Sequence, residues 1–270
     1  MSHCLHVIAT ARNVEVLRKL ADVYGMSILP LDVTNADSIK RCHTEVANIT
    51  GGKLDILINN AGRTHTYPAT DLDLDAVRQT FETNVFGTMA MVKAFVDMLI
   101  PAQGLIINTA SASAVIPYLF GAAYTASKSA VVGYSRTLRL ELAPLGVRVM
   151  VTMTGSTKSN TASHEDCVLP ANSLYRQAKG LFEWRVMFSQ NSSSMPTATY
   201  AHQLVTASLK PEVPPLFRTW FGRPDWFWYG GLASVAWSGH TMGEWAMDTI
   251  GWYVFKVPTL QKALAGEKQD

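Results

Sequence analysis

Two tyrosine–lysine pairs at a spacing of four, Tyr124 with Lys128 and Tyr175 with Lys179, are the groups in this chain best suited by type and spacing to move a proton. On a helix that spacing puts both side chains on one face, a turn apart. The phenol of tyrosine has a reference pKa near 10, and an ammonium about 4 Å away contributes roughly 4 kcal/mol at an effective dielectric of about 20, up to about three pKa units before desolvation is subtracted. A tyrosine so placed is expected to exchange protons near neutral pH. The surroundings separate the two pairs. Before Tyr124 comes the apolar run GLIIN, then Ser111, thirteen residues ahead of the tyrosine, where a strand would end. Before Tyr175 comes the polar run TASHEDC, with Ser163 twelve residues ahead.

The elements that must position Tyr124 and Lys128 follow from periodicity. Short runs rich in valine and isoleucine alternate with longer segments of helical period, the pattern of a parallel sheet covered by helices. Strands are expected at 5–10, 26–33, 54–62, 104–111 and 147–155, and helices near 13–24, 37–49, 73–99 and 124–143, with Asp71 or Asp73 capping the third and Gly146 stopping the fourth. Open parallel sheets bind ligands at the carboxyl ends of their strands, which is where Ser111 falls. One strand earlier, NNAG at 59–62 places Ala61 and Gly62 where a ligand can approach the backbone. Asn84, in TNVFG, sits mid-helix, where asparagine is intrinsically unfavourable; it either faces solvent or opens the helix for a purpose.

Composition narrows the partners. The 270 residues are 48% hydrophobic and 16% charged, a lean surface around ample core material, and the formal net charge of +2 without any basic cluster leaves no footprint for a nucleic acid. A small molecule is the expected partner. Cys4, Cys42 and Cys167 are odd in number, far apart and without metal-ligand spacing, which points to a reducing compartment, and the start of the chain has no secretory signal, so the expected location is the cytosol. Residues 156–200, rich in Ser, Thr, Asn and Met, read as a mobile lid with one helix near 171–188. Residues 220–270 carry six of the seven tryptophans, and Trp226 to Gly243 contains no Asp, Glu, Lys or Arg. Its glycines, serines and histidine argue against a membrane span. The tail therefore reads either as an aromatic wall over a pocket or subunit interface, or as a belt lying on a membrane surface over 220–257.

Taken together, Asp32 in PLDV, NNAG at 59–62, Asn84 in TNVFG, Ser111, and YTASK at 124–128 resemble the short-chain dehydrogenase/reductase family in order and interval over roughly residues 5–160. The run from TASAS through YTASK to YSRTLRLELAPLGVRV resembles most the fungal 1-acyldihydroxyacetone-phosphate reductases and related ketoreductases of secondary metabolism. The resemblance implies a doubly wound, Rossmann-like α/β sheet and NADP-dependent reduction of a carbonyl on a lipid-like or polyketide-type small molecule. It implies that Tyr124 is the general acid, Ser111 a hydrogen-bond donor to the developing alkoxide, Lys128 the group that lowers the tyrosine pKa and holds the nicotinamide ribose, and Asn84 the anchor of a proton-carrying water. Asp32 would meet the adenine, Asn60, Ala61 and Gly62 the adenosine ribose, and Lys93 is a further cofactor candidate. It also implies a homo-oligomer with the helices at 73–99 and 124–143 on the dimer face.

Two departures from the family pattern stand out. Where Pro-Gly, Val and Thr are common near the nicotinamide, the run is Thr154-Gly155-Ser156-Thr157-Lys158-Ser159, in which Thr157 and Ser159 still offer hydroxyls. The opening strand and its glycine-rich turn are missing, since only 31 residues precede Asp32 and LHVIATARN carries no glycine; that segment matches the family's second strand, where Arg12 and the lack of acidic residues suit a 2′-phosphate. The expected layout is an incomplete dinucleotide-binding and catalytic core (1–160), a lid with helices (161–219) and an aromatic helical extension (220–270) in one structural domain. Two other readings stand beside the enzyme: a chain that keeps the tetrad but binds cofactor poorly, and a peripheral membrane protein, associated with the endoplasmic reticulum or another lipid surface, whose tail is its main function.

Overall fold

Residues 105–107 and 149–151 are fully buried at the centre of the molecule, and each is a continuous apolar run, as a strand covered on both faces requires. The computed structural model describes residues 5–159, 167–192 and 194–266; Cys4 and Ser163 lie outside them. Its strands are β1 (Ile8–Ala11), β2 (Ser27–Pro30), β3 (Ile56–Asn59), β4 (Leu105–Thr109), β5 (Arg148–Thr154) and β6 (Trp226–Tyr229). Its α-helices are α1 (Arg18–Tyr24), α2 (Ala36–Thr50), α3 (Leu74–Phe81), α4 (Gly87–Ala102), α5 (Ala122–Leu142), α6 (Lys179–Val186), α7 (Phe188–Asn191), α8 (Thr197–Ser208), α9 (Arg218–Phe221), α10 (Ala233–Met242), α11 (Glu244–Val254) and α12 (Val257–Leu264). Every ladder between these strands is parallel.

The two faces of β4 show the layering. Ile106 packs with Leu99 of α4 and Leu138 of α5 on one side, while Leu105 and Ile107 pack with Phe227 and Ala207 of α8 on the other. A polar line ties the layers in register: Asn59 Nδ2 donates to Asn108 Oδ1 at 2.9 Å, and Asn108 Nδ2 donates to Ser135 Oγ at 2.9 Å. Buried amides so paired specify one register, because a slip would orphan them. Asp73 caps α3 by accepting from Asp75 N, and Gly146 takes the left-handed conformation (φ 76°) after a short 3-10 turn that follows α5. The helical stretch Leu74–Ala102 is long and apolar enough to cross a membrane by length and composition, yet its Met91, Val92, Phe95, Met98 and Leu99 lie in the core.

The expected lack of a strand is visible as a gap. β1 and β2 form a two-stranded sheet, and β3, β4, β5 and β6 a four-stranded one. The free edges of β1 and β3 line opposite walls of an open cavity of about 1600 Å³ and do not pair with each other. Chain order runs outward in opposite directions from this gap, which makes it the switch point of a doubly wound fold.

The sequence reading did not place β6. WFWY carries no alternation, and its aromatic content resembles a wall or belt as much as a strand. Arg139 holds its entry by donating to the Asp225 carbonyl at 2.9 Å and lying 5.2 Å over the Trp226 ring. From α10 onward the extension is helical, as expected. The helix expected near 171–188 is divided into a 3-10 turn at Arg176–Ala178, then α6 and α7.

Candidate active site

The carboxyl ends of β3, β4 and β5 converge on the first turns of α5. Lys128, buried one turn beyond Tyr124, donates from Nζ to the Thr109 carbonyl at 2.8 Å, which locks α5 against the end of β4. Ser111 follows that strand end; its Oγ lies 3.4 Å from the Thr154 carbonyl and accepts from Ser113 Oγ at 3.0 Å. Its hydroxyl lies near enough to Tyr124 to favour the ionised form of the phenol. Between α3 and α4 the helix widens to a π turn over Glu82–Phe86, so Asn84 does open the helix. Its side chain is saturated by protein: Nδ2 donates to the Arg63 carbonyl (3.1 Å) and Ser127 Oγ (2.9 Å), and Oδ1 accepts from Arg63 N (2.9 Å). These bonds clamp the loop after β3 onto α5. They also require Gly62, where a Cβ would come within 3.3 Å of Asn84 Oδ1 and 3.5 Å of Lys128 Nζ.

The electrostatics correct one expectation. The Lys128 ammonium sits 5.9 Å from the Tyr124 ring centroid and points to Thr109, and burial dominates both groups. It pushes the Tyr124 pKa up to about 12, partly opposed by the Ser111 hydroxyl, and the Lys128 pKa down to about 8. Desolvation outweighs the pull of Ser111 and of the Arg185 charge, so the tyrosine holds its proton through the ordinary pH range.

A stability prediction follows from Lys128. Its folded pKa lies below the 10.5 of the free side chain, so between pH 8 and 10.5 the unfolded chain keeps a proton that the folded chain has released, and stability rises with pH across that window. The melting temperature of the wild type should therefore gain on that of Lys128→Met as pH is raised from 8 to 10 in thermal scans. Parallel curves would show that the ammonium is not desolvated.

A cavity of about 530 Å³ joins Ser111, Tyr124, Lys128 and the Asn60–Gly62 loop to Thr157 and Ser159. Its far wall is apolar and comes from the tail: Leu232 precedes α10, Val235 is in α10, Ile250 and Val254 are in α11, and Phe255 follows it. The tail thus roofs the pocket. Gly155, second in the run that lacks Pro-Gly, meets the chain just after β6 so closely that a Cβ there would lie 2.2 Å from the Gly231 carbonyl. Tyr175 and Lys179 stand apart from this cavity; Tyr175 packs edge-on against Phe120 at 5.1 Å and Lys179 pairs with Glu183 at 3.6 Å. Lys93 is exposed on α4 and lines neither cavity. The sequence reading missed Tyr200, whose hydroxyl meets Thr154 Oγ1 at 2.6 Å, and Arg185, both in the cavity wall. Each is an isolated residue in a helical segment and carries no spacing signal.

The residues present fit a nicotinamide dinucleotide at its two ends. Arg12, Asp32, Asn60, Ala61 and Gly62 line the gap cavity, and Asn60–Gly62 also line the cavity of Tyr124. Asp32 accepts from Thr34 N (2.9 Å) and Oγ1 (2.7 Å), bonds that hold its carboxyl below the usual pKa. Between those ends, no glycine-rich turn occurs among the described residues to cradle a pyrophosphate.

Comparison with known proteins agrees with this geometry. The family model described as short chain dehydrogenase matches residues 1–166. The short-chain dehydrogenase fogD of Aspergillus ruber is 35% identical over 265 residues, covering 96% of this chain and 87% of its own. The NADPH-dependent 1-acyldihydroxyacetone phosphate reductase of Schizosaccharomyces pombe is 43% identical over 174 residues, 63% of this chain and 58% of its own. Among solved structures, a short-chain dehydrogenase from Streptomyces avermitilis superposes with a TM-score of 0.72 at 25% identity, covering 88% of this chain and 83% of that one.

Proposed function

The chain belongs to the short-chain dehydrogenase family, an oxidoreductase family that uses nicotinamide cofactors, and on that premise we propose that it is an NADPH-dependent reductase of a ketone on a lipid-like or polyketide-type molecule. The observation that carries this reading is the single cavity that gathers Ser111, Tyr124, Lys128 and the Asn60–Gly62 edge under an apolar roof. The nicotinamide would supply a hydride. Tyr124 would give its proton to the carbonyl oxygen while Ser111 hydrogen-bonds that oxygen as charge develops. A pKa raised to about 12 keeps Tyr124 protonated, which favours the reducing direction. Lys128 and Thr157 stand where the ribose and amide of the nicotinamide would be held, and Asn84 acts by clamping the loop that carries Gly62. Arg12 at the adenosine end supports NADPH over NADH, as does the name of the Schizosaccharomyces relative.

One observation favours a second reading, a chain that keeps this site but holds cofactor weakly: the gap between β1 and β3 lies where the pyrophosphate would need backbone donors. Titrating the purified chain with NADPH and with NADH, followed by nicotinamide fluorescence, separates the two. The enzyme reading expects saturable binding with NADPH at least tenfold tighter. No saturation with either cofactor would establish the weak-binding reading in its place.

The tail supports a location in the cytosol at a lipid surface, such as the endoplasmic reticulum. Trp237, Met242, Trp245, Trp252 and Tyr253 of α10 and α11 are exposed while their neighbours line the pocket. Such a face sits well at a bilayer interface. The full chain is expected to float with liposomes, and replacing Trp237, Trp245 and Trp252 by serine should stop it; a chain that stays at the bottom removes the membrane contact. The π turn that leads into α4, with α4 and α5 themselves, carries Phe86, Ile100 and Leu140 in solvent and is the proposed dimer surface.

A further inference from the structure

Arg185 is the largest fully buried side chain among the described residues, with 1% of its surface exposed, and it is a cation. Its guanidinium carbon lies 3.5 Å over the Tyr118 ring and 5.3 Å from the centre of the Phe255 ring, which meets Tyr118 edge-on at 5.1 Å, so the group stacks on Tyr118 with Phe255 at its side. Neither Nε nor Nη2 has a hydrogen-bond partner, and no ion pair among the described residues involves it. Burial works against the charge and holds its pKa below the ordinary arginine value, opposed only in part by the hydroxyls of Tyr118 and Tyr124. A buried, uncompensated cation is among the more costly features a fold can keep, and stacking on aromatic faces offsets only part of that cost.

The position says what would complete it. Arg185 lines the same cavity as Ser111 and Tyr124, close enough to Tyr124 for its charge to act on the phenol. Room for the fork is kept by Gly121, the residue before α5, where a Cβ would come within 3.2 Å of Nη2. The rest of the far wall is apolar, from Val235 to Val254. A guanidinium presents parallel N–H donors matched to a carboxylate or phosphate, a geometry a lysine cannot reproduce.

We propose that Arg185 is an oxyanion anchor for the substrate: the ketone carries a carboxylate or phosphate that pairs with the unpartnered Nε and Nη2, while its apolar body lies along α10 and α11. This rests on the ketoreductase reading for the identity of the reacting group but not for the anion site itself. The anchor sets which ketones enter and how the carbonyl faces Tyr124.

Calorimetric titration with decanoate, decyl phosphate and decanol, each below its micelle concentration and without cofactor, tests the anchor apart from turnover. The wild type is expected to bind at least one of the anions tenfold or more tighter than decanol, and the tighter anion names the head group. Arg185→Met should lose that preference while keeping its affinity for decanol, and Arg185→Lys should keep only part of it. Should Arg185→Met fail to fold, the wild-type comparison and Arg185→Lys still decide. Equal binding of decanol and both anions by the wild type overturns the proposal, as does an anion preference that survives in Arg185→Met. A repeat with NADPH present separates substrate from cofactor: anion affinity unchanged or increased supports a substrate anchor, whereas competition would assign the arginine to a cofactor phosphate and overturn it. Loss of cofactor binding alone would sink the ketoreductase reading and leave the anion site standing.

Discussion

Tyr124→Phe is expected to lower ketone reduction by about 10²- to 10⁴-fold, the usual contribution of a positioned general acid, with the melting temperature nearly unchanged. The change removes one hydroxyl, and losing a single such polar group typically costs on the order of 1 kcal/mol of stability. The ring stays, so the cavity wall and the first turn of α5 keep their packing. Tyr175→Phe serves as the control, because Tyr175 packs against Phe120 outside the cavity and makes no contact with Ser111 or Lys128. Steady-state rates with a panel of ketones, beside thermal scans of both variants, check this. Equal loss in the two variants would mean that the proton donor lies elsewhere.

The second large effect concerns the gap. β1, α1 and β2 contain no fully buried residue, whereas β5 has five in a row. The N-terminal layer is joined to the main sheet by no strand pairing, and two open edges face each other across the cavity. Local stability follows buried contacts, so this layer should open far more readily than the core. Hydrogen exchange followed by mass spectrometry is expected to show amides of β1 and β2 exchanging at least about 100-fold faster than those of β4 and β5. The chain without ligand is expected to melt below roughly 45 °C, under the range of ordinary mesophilic domains. Uniform protection across both sheets, or a midpoint well inside that range, would show that the layer is held by contacts stronger than those described here.

The parts of this site that were legible in sequence are those encoded by local period and spacing. Ser111 at a strand end follows from the continuous apolar run before it, and Tyr124 with Lys128 on one helical turn from the 3.6-residue period. Asn84 was legible as an exception, an unfavourable residue in a helix, and the π turn at Glu82–Phe86 is the form the exception takes. What sequence could not carry was the outcome of competing terms or of long-range packing. The Tyr124 pKa moves up instead of down because desolvation depends on every element that closes around the phenol, which no spacing reports. Lys93 shared the helix of Asn84 but not its face, and so points to solvent. β6 was hidden because a continuous aromatic run is equally a strand, a wall or a belt until its partner β5 is known. Arg185 was invisible for the same reason: its meaning lies in Tyr118, Gly121 and Phe255, which are adjacent only in the folded chain.

The most direct test of the central claim is to incubate the purified full chain with NADPH and a series of ketones of rising chain length and to quantify the alcohol formed by mass spectrometry. The account predicts alcohol in amounts matching the NADPH consumed, with rates rising as the apolar chain fills the wall from Leu232 to Phe255 and falling to background in Tyr124→Phe. NADPH left unconsumed with every ketone, or alcohol formed equally well by Tyr124→Phe, would contradict it.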